Sequence, residues 1–381
     1  MISRLFPNGS RPGSRPGWGV IDFEPSDEQK LIVETVRQFA ASEVRPRARE
    51  CSEARKLPDD AIARAHELGL VANALPSANG GGGERSAVTS ALIAEELAWG
   101  DLAIALAILS PSLLALPVAD FGTPEQQRAW LPRYTGGRFV PGSLALVEPS
   151  FRFDPFHPAT TARQDGDAWV LDGEKCFVPW LAGDDGVLVI ASEQRVPQAF
   201  LVSRDAEGLE VTPERNMGLD ALPTVELRLH GVRVPASARL GGARGADVAS
   251  LVNRGRVALA AAAVGVARAA FELARDYAKQ RQAFGAPIAT KQAIAFKLAE
   301  MAIEIDGARL LAWEAADRLD RGLPALREAA LAQQQAQRVA LDVADGAVQV
   351  FGGHGYIRDY LPEMHLRNAR GFASFEALSL V

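Results

Sequence analysis

A glycine-rich corner and one carboxylate near the end of the sequence are the residues best suited to chemistry. Gln349–Tyr356 reads Gln-Val-Phe-Gly-Gly-His-Gly-Tyr, so Gly352 and Gly353 offer bare backbone N–H groups that can approach a phosphate. Glu376 follows in an apolar setting that includes Phe375, which would raise its pKa and suit it to act as a base. Taken alone, however, the segment is better explained by a glycine helix cap and a frayed tail with a solvated glutamate.

Composition limits the classes of protein that the chain can represent. Its 381 residues, 48% hydrophobic and 23% charged, indicate a soluble globular protein of two or three domains. A net charge of −6 without dense Lys/Arg clusters argues against nucleic-acid binding. Only Cys51 and Cys176 are present, which disfavours a disulfide framework and favours the cytoplasm. The five histidines lack metal-ligand spacing, so no metal site is expected.

Neither the longest apolar stretch nor the N-terminal segment indicates a membrane span. Residues 102–119 are interrupted by Ser110-Pro111-Ser112 and by Pro117, which predicts a buried helical pair. Residues 1–20 combine arginines with proline and glycine and lack an apolar core. They are interpreted as a disordered leader or a misplaced start codon, and not as a signal peptide.

The remaining chain divides into three regions. Residues 21–140 show helical periodicity, beginning with a capping box at Ser26. Residues 141–245 contain short β-rich runs with hairpin signals at Asp165-Gly166 and Asp172-Gly173, which predict an antiparallel barrel or sandwich. Residues 246–381 carry apolar positions spaced by three and four, as an antiparallel four-helix bundle requires. The predicted fold class is therefore mainly α with a central β domain.

Several motifs together resemble the acyl-CoA dehydrogenase family over about residues 21–381. The family's segments are matched by Phe121-Gly-Thr-Pro-Glu-Gln-Gln127, Leu144-Ala-Leu-Val-Glu-Pro149, Trp169-Val-Leu-Asp-Gly-Glu-Lys175, Arg281-Gln-Ala-Phe-Gly285 and, most specifically, Gln349-Val-Phe-Gly-Gly353.

The resemblance implies FAD bound at a subunit interface of a dimer or tetramer. Glu376 falls at the position of the catalytic base that removes the α proton of an acyl thioester while the β hydride passes to the flavin. A second branch of the family carries its base at what is Gly255 here, so that option is absent. The expected substrate is an acyl-CoA or an acyl-carrier-protein thioester. The expected electron acceptor is an electron-transferring flavoprotein or oxygen.

The resemblance also assigns the binding residues. Cofactor contacts fall to Leu146, Val147, Phe177, Pro179, Arg281, Phe284, Gln292, Gln349, Gly352 and Gly353, and substrate contacts to Phe153, Arg256 and Phe375.

The sequence differs from the family where a subunit would hold its own flavin. Val147 stands for a threonine, Arg152-Phe153 for Gly-Ser, and Pro179 for a hydroxyl residue, whereas residues lent to a neighbour, such as Arg281, are kept. Each lost hydrogen bond weakens binding by about 0.5–1.5 kcal/mol. One hypothesis is a working dehydrogenase with an altered flavin environment. Another is a decayed subunit that completes a homologue's flavin site, and a third is a flavin-free scaffold. The first is favoured because backbone contacts survive substitution.

Overall fold

The computed structural model describes residues 23–183 and 186–381, so the leader predicted for residues 1–20 lies outside the described residues. Among the described residues, seven α-helices precede the sheet. The first starts at Ser26, whose side chain forms the predicted capping box with Gln29. The helices are α1 Asp27–Phe39, α2 Ala48–Ala54, α3 Asp59–Glu67, α4 Ala87–Gly100, α5 Leu102–Leu109, α6 Ser112–Phe121 and α7 Pro124–Trp130.

A seven-stranded sheet follows the first helices. The sheet is mainly antiparallel, as predicted. The exceptions are β1 and β2, which pair in parallel with one edge of β4, whereas β5 pairs antiparallel with the other edge of β4. The strands are β1 Leu144–Ala145, β2 Thr161–Asp165, β3 Ala168–Pro179, β4 Gly186–Glu193, β5 Val196–Ser203, β6 Leu209–Pro213 and β7 Thr224–Pro235.

One of the two predicted hairpins is wrong. The Asp165-Gly166 signal does mark the turn between β2 and β3. Asp172-Gly173 instead lies within β3, at a shift in its pairing with β7. Gly173 has φ 149°, and a Cβ there would lie 2.6 Å from the Thr160 hydroxyl. Gly173 therefore marks a β-bulge where another segment approaches closely. A glycine at such a bulge and a glycine in a hairpin turn give the same signal in the sequence.

The C-terminal region is the predicted helical bundle. Tyr277 stacks on Phe351 with ring centroids 4.0 Å apart, so the C-terminal ends of α8 and α10 lie side by side. α8 and α10 therefore run in the same direction, and α9, which connects them, runs in the opposite direction. A small hairpin joins α8 to α9. The elements are α8 Val248–Gln280, β8 Gln282–Ala283, β9 Ala286–Pro287, α9 Gln292–Asp320, α10 Leu326–Phe351, α11 Gly353–Tyr356 and α12 Pro362–Gly371.

Two helical stretches are long and apolar enough to cross a membrane by length and composition. They are Leu102–Phe121 and Val248–Gln280, and 94% and 78% of their most apolar windows are buried in the fold. The first is the buried helical pair that the sequence predicted, α5 and α6. The second is the central helix of the bundle, whose alanine-rich face packs against α4 and α10.

Candidate functional site

Glu376 lies between the two parallel helices of the bundle. The chain after α12 folds back so that Arg256 of α8 donates a hydrogen bond from Nη2 to Glu376 Oε1 at 3.2 Å. From α10, Gln333 donates from Nε2 to the carbonyl oxygen of Phe375 at 3.3 Å. The side chain of Glu376 is only 17% exposed. The solvated tail considered from the sequence is therefore not what forms.

The setting of Glu376 alters its acidity and leaves polar atoms unpaired. Burial raises the pKa of Glu376, and the charge and hydrogen bond of Arg256 oppose that rise, as does Gln333. Glu376 Oε2, Arg256 Nε and Asn253 Oδ1 are buried without a hydrogen-bond partner among the residues that the structure describes. Buried polar atoms normally find partners, so this group is suited to receive a polar ligand.

Aromatic rings form the wall beside the acid. The ring of Phe375 lies 6.1 Å from that of Phe372 and 6.0 Å from that of Phe177, both edge to face. A Cβ at Gly371 would lie 2.2 Å from the Phe375 ring, so only glycine admits this packing. The wall keeps the approach to Glu376 apolar, which is the physical source of its raised pKa.

The backbone next to the acid is tightly constrained. Ala377 has φ 48°, in the left-handed region that costs a residue with a side chain about 1 kcal/mol or more. A Cβ at Gly255 would lie 2.8 Å from Ala377 Cα. The resemblance places the alternative base of a second family branch at this position. The segment that follows Glu376 occupies the space that a side chain there would need. The same contact requires glycine at this position, two turns into α8.

Four of the predicted cofactor residues, Leu146, Val147, Phe177 and Pro179, are brought together here as what we call the sheet face. The carbonyl of Leu146 accepts from Lys175 Nζ at 3.1 Å, and that of Val147 accepts from the Cys176 N–H at 2.9 Å, which joins the chain after β1 to β3. The side chains of Val147, Phe177 and Pro179 carry no hydrogen-bonding group. The side chains of the sheet face therefore offer apolar contact and no hydrogen bond.

The loop between β1 and β2 closes over the arginine of the site. Phe156 lies under the Arg256 guanidinium, 5.5 Å from its centre. Phe153, the predicted substrate residue, is half-buried against the core between the helices and the sheet. The sequence analysis missed Phe156, because nothing in the sequence shows which phenylalanine of this loop turns inward.

The other six predicted cofactor residues are all exposed at the opposite end of the bundle, and we call them the hairpin face. Phe284, at the tip of the β8–β9 hairpin, is 96% exposed and has φ 54°. A Cβ at Gly352 or Gly353 would meet nothing within 4 Å. Exposed cationic and bare-backbone groups of this kind fit a phosphate-bearing ligand. The hairpin face comprises Arg281, Phe284, Gln292, Gln349, Gly352 and Gly353.

The two faces are far apart in one chain. Arg256, which contacts Glu376, and Arg281 are separated by 25 residues of α8, which correspond to about 37 Å along a helix. Phe177 of the sheet face lies close to Glu376 through its contact with Phe375. The resemblance already implied that residues such as Arg281 serve a neighbour's flavin and that Val147 and Pro179 serve the subunit's own. The structure likewise places these two sets at separate positions in the chain.

Comparison with known proteins decides the family. Sequence models of the acyl-CoA dehydrogenase N-terminal, middle and C-terminal domains match residues 26–138, 143–232 and 244–376. The chain belongs to the acyl-CoA dehydrogenase family. The predicted resemblance and the predicted fold class, helices flanking a central β domain, are confirmed.

Individual members of the acyl-CoA dehydrogenase family are similar over nearly their whole length. The chain is 34% identical over 365 residues to the short-chain specific acyl-CoA dehydrogenase of Bos taurus, which covers 93% of this chain and 88% of that protein. The butyryl-CoA dehydrogenase structure from Megasphaera elsdenii has a TM-score of 0.85 at 31% identity, covering 93% and 96% of the two chains. A Mycobacterium smegmatis glutaryl-CoA dehydrogenase in complex with FADH2 has a TM-score of 0.83 at 29% identity, covering 92% and 91%. That ligand agrees with the predicted FAD.

One difference from the acyl-CoA dehydrogenase pattern has a structural explanation. Asp220, at a position where the resemblance implies an arginine, forms an ion pair with Arg367 of α12 and accepts from the Ser52 hydroxyl at 3.0 Å. Glu363 accepts from Arg367 Nε at 2.8 Å and extends this network. The substitution therefore ties the loop before β7 to α2 and α12.

Proposed function

We propose that this chain is an FAD-dependent acyl-CoA dehydrogenase that introduces an α,β double bond into an acyl thioester. The observation that carries the proposal is Glu376, a buried carboxylate whose Oε2 has no partner among the described residues and which lies beside the sheet face. A base of this kind must be within reach of one proton and in a dry setting. The burial of Glu376 meets the second requirement, and in this proposal Glu376 takes the proton from the carbon next to the thioester.

The residues around Glu376 have separable roles in this reaction. Arg256 favours the charged form of the carboxyl and so opposes the rise in pKa that burial causes, which suits the group to accept a proton. Phe177 and Phe375 exclude water. The chemistry that FAD supplies when bound is acceptance of the hydride from the β carbon. The backbone of the sheet face and the hairpin face of a second subunit, including Arg281, would hold it.

A short acyl chain is the substrate class that we propose. Among the relatives compared, one is named for short chains and one for butyryl-CoA. In this chain, Phe372 and Phe375 are buried beside Glu376 in the same core cluster as Leu378. Side chains of this size leave little depth for a long hydrocarbon. An acyl-carrier-protein thioester is the alternative carrier, and comparison of the two carriers with one butyryl group distinguishes them.

The visible absorbance spectrum of the purified protein tests the proposed function. A flavin spectrum that bleaches when butyryl-CoA is added under anaerobic conditions, together with a crotonyl product, is the expected result. A flavin-bound protein that no acyl thioester bleaches would overturn it. Flavin release on acid treatment and mass spectrometry identify the bound cofactor as FAD.

A second candidate function is favoured by the contrast between the two faces. The sheet face offers no side-chain hydrogen bond to a flavin, whereas the hairpin face is fully presented to a neighbour. On this hypothesis the chain is a subunit whose own site has decayed and which completes the flavin site of a homologue. The expected result is then a colourless protein alone that becomes yellow when a homologous subunit is co-expressed. Native mass spectrometry of both preparations gives the subunit composition.

Association into a dimer or tetramer is part of either proposal. The outer side of α9 exposes Phe296, Ile303 and Leu310, which are seven residues apart. This spacing forms one apolar stripe along a helix, as in helices that pack on another helix. Gly307 lies within the same exposed stretch and would let a second backbone come close. We propose that this stripe packs against a second subunit.

A further inference from the structure

Gln333 is a polar residue on an otherwise alanine-rich side of α10. Ala329, Ala332 and Ala336 are buried in the bundle, and Gln333 lies half-buried beside them. Its amide Nε2 donates to the carbonyl oxygen of Phe375 at 3.3 Å. That carbonyl belongs to the peptide that joins Phe375 to the acid. Gln333 on α10 therefore holds the backbone at Glu376, whose carboxylate is bonded from α8.

We propose that Gln333 is a positioning residue for Glu376, fixing the peptide from which the carboxylate projects. The proposal rests on the proposed dehydrogenase function and goes beyond it, since Gln333 does not enter the reaction itself. Alignment of a base to within a fraction of an ångström governs the rate of proton transfer. A residue that fixes its backbone thus contributes without touching the substrate.

The remaining contacts of the acid show why a separate backbone anchor is needed. Arg256 bonds the carboxylate head, and this is the bond that changes when Glu376 takes up a proton. Ala377, the residue after Glu376, has a strained φ. This backbone strain would relax if no other contact held the segment in place. The hydrogen bond from Gln333 to the Phe375 carbonyl is made to the backbone, so it persists through a change of protonation, and the same amide also favours the charged carboxylate.

The charges around Glu376 are few among the described residues. Arg256 faces it from α8, while Gln333 from α10 is neutral. Asp154, from the loop over the site, interacts with Arg256 and with His157, which lies outside the contacts of Glu376. Besides burial and Arg256, Gln333 is the remaining group that affects the pKa of Glu376, and it lowers it. Removal of the amide should therefore be visible in the titration of the acid.

Gln333→Leu, compared with Gln334→Leu, tests the role. Gln334 is the adjacent residue of α10 and is exposed, so it controls for the change of residue type. Two quantities are measured. One is the protonation midpoint of Glu376, from infrared difference titration with Glu376→Gln as the reference. The other is the pair kcat and KM for butyryl-CoA.

Gln333→Leu is expected to raise the midpoint and to lower kcat about tenfold with KM nearly unchanged, the effect of one lost hydrogen bond. Gln334→Leu should match the wild type. A Gln333→Leu protein whose midpoint equals that of the wild type would overturn the proposal. Should the leucine variant fail to fold, Gln333→Met, of the same length, carries the same test.

The titration separates this inference from the proposed function. If the wild-type protein oxidises no acyl-CoA, the proposed function fails, but the midpoint comparison still shows whether Gln333 holds the acid. If the wild type is active and both glutamine variants retain its midpoint and kcat, only the positioning role fails.

Discussion

The sheet face and the hairpin face are both matched by family motifs, yet they differ in every physical property that bears on binding a dinucleotide. On the sheet face the carbonyls of Leu146 and Val147 are already bonded within the fold, and the side chains are apolar. On the hairpin face Arg281 is exposed, and the backbone at Gly352 and Gly353 is open. One face presents apolar side chains, while the other leaves its polar groups uncovered.

This difference allows each face to be tested separately. Because about 37 Å of helix separates Arg281 from the residues beside Glu376, a change on one face leaves the other intact. The acid itself lies next to the altered sheet face, where Phe177 contacts Phe375. The comparison is sharpened by substitutions that act on one face at a time.

The largest effect is expected from the acid. Glu376→Gln removes the base but keeps the size of the side chain, so turnover should fall by about 10²–10⁴-fold while flavin content is unchanged. Steady-state oxidation of butyryl-CoA and the visible spectrum measure the two quantities. Glu300→Gln, on the exposed side of α9, is the control. Activity within tenfold of the wild type in the Glu376 variant would remove this residue from the mechanism.

Arg281→Ala tests the hairpin face. An arginine bonded to a phosphate contributes about 1.5–3 kcal/mol, so flavin should bind about 10- to 100-fold more weakly. Flavin release during dialysis, followed by fluorescence, measures the change. Lys279→Ala removes an exposed cation two residues earlier and should leave binding unaltered. Equal flavin retention in both variants would show that this face does not border the cofactor.

Val147→Thr tests the sheet face in the opposite direction. It returns a hydroxyl to a face that has none, and one new hydrogen bond would tighten flavin binding by about 0.5–1.5 kcal/mol. The dissociation constant of FAD from the protein is the measurement. Val187→Thr, the same change in the core of the sheet, should lower stability without tightening binding. No change in affinity at Val147 would argue that the sheet face is not where the flavin ring lies.

The smallest effect concerns stability. Because burial raises the pKa of Glu376, the folded protein binds this proton more tightly than the unfolded chain does. Its contribution to stability is therefore present in acid and is lost as the pH rises through the raised pKa. Compared with Glu376→Gln, the wild-type free energy of unfolding should decline from acidic to neutral pH. Urea unfolding at a series of pH values measures this, and parallel curves would contradict it.

The architecture could be predicted because its signals are local. Helical seams, the capping box at Ser26 and the turn at Asp165-Gly166 each depend on residues close in sequence. The error at Asp172-Gly173 has the same origin, because the residue that requires Gly173 is Thr160, from the segment before β2. Local sequence patterns do not show that a segment from elsewhere in the chain lies against this glycine.

Only those site residues that belong to sequence motifs could be predicted. The position of Glu376 in the tail was available from the sequence, but the contacts of Gln333 and Phe156 depend on how the tail and a loop fold onto distant helices. The resemblance also implied two groups of cofactor residues. The distance between them follows from the length of α8 and the parallel course of α10, which no single motif contains.

The carboxylate of Glu148 accepts from the backbone N–H groups of Ala159 and Thr160 and from Lys175, each at 2.8 Å. Both ends of the intervening loop are thereby fastened to one buried point. Substitutions at the exposed residues of this loop, such as Phe151 and Arg152, are therefore expected to leave the strands on either side in register. This loop is accordingly the natural place to graft new specificity onto the protein.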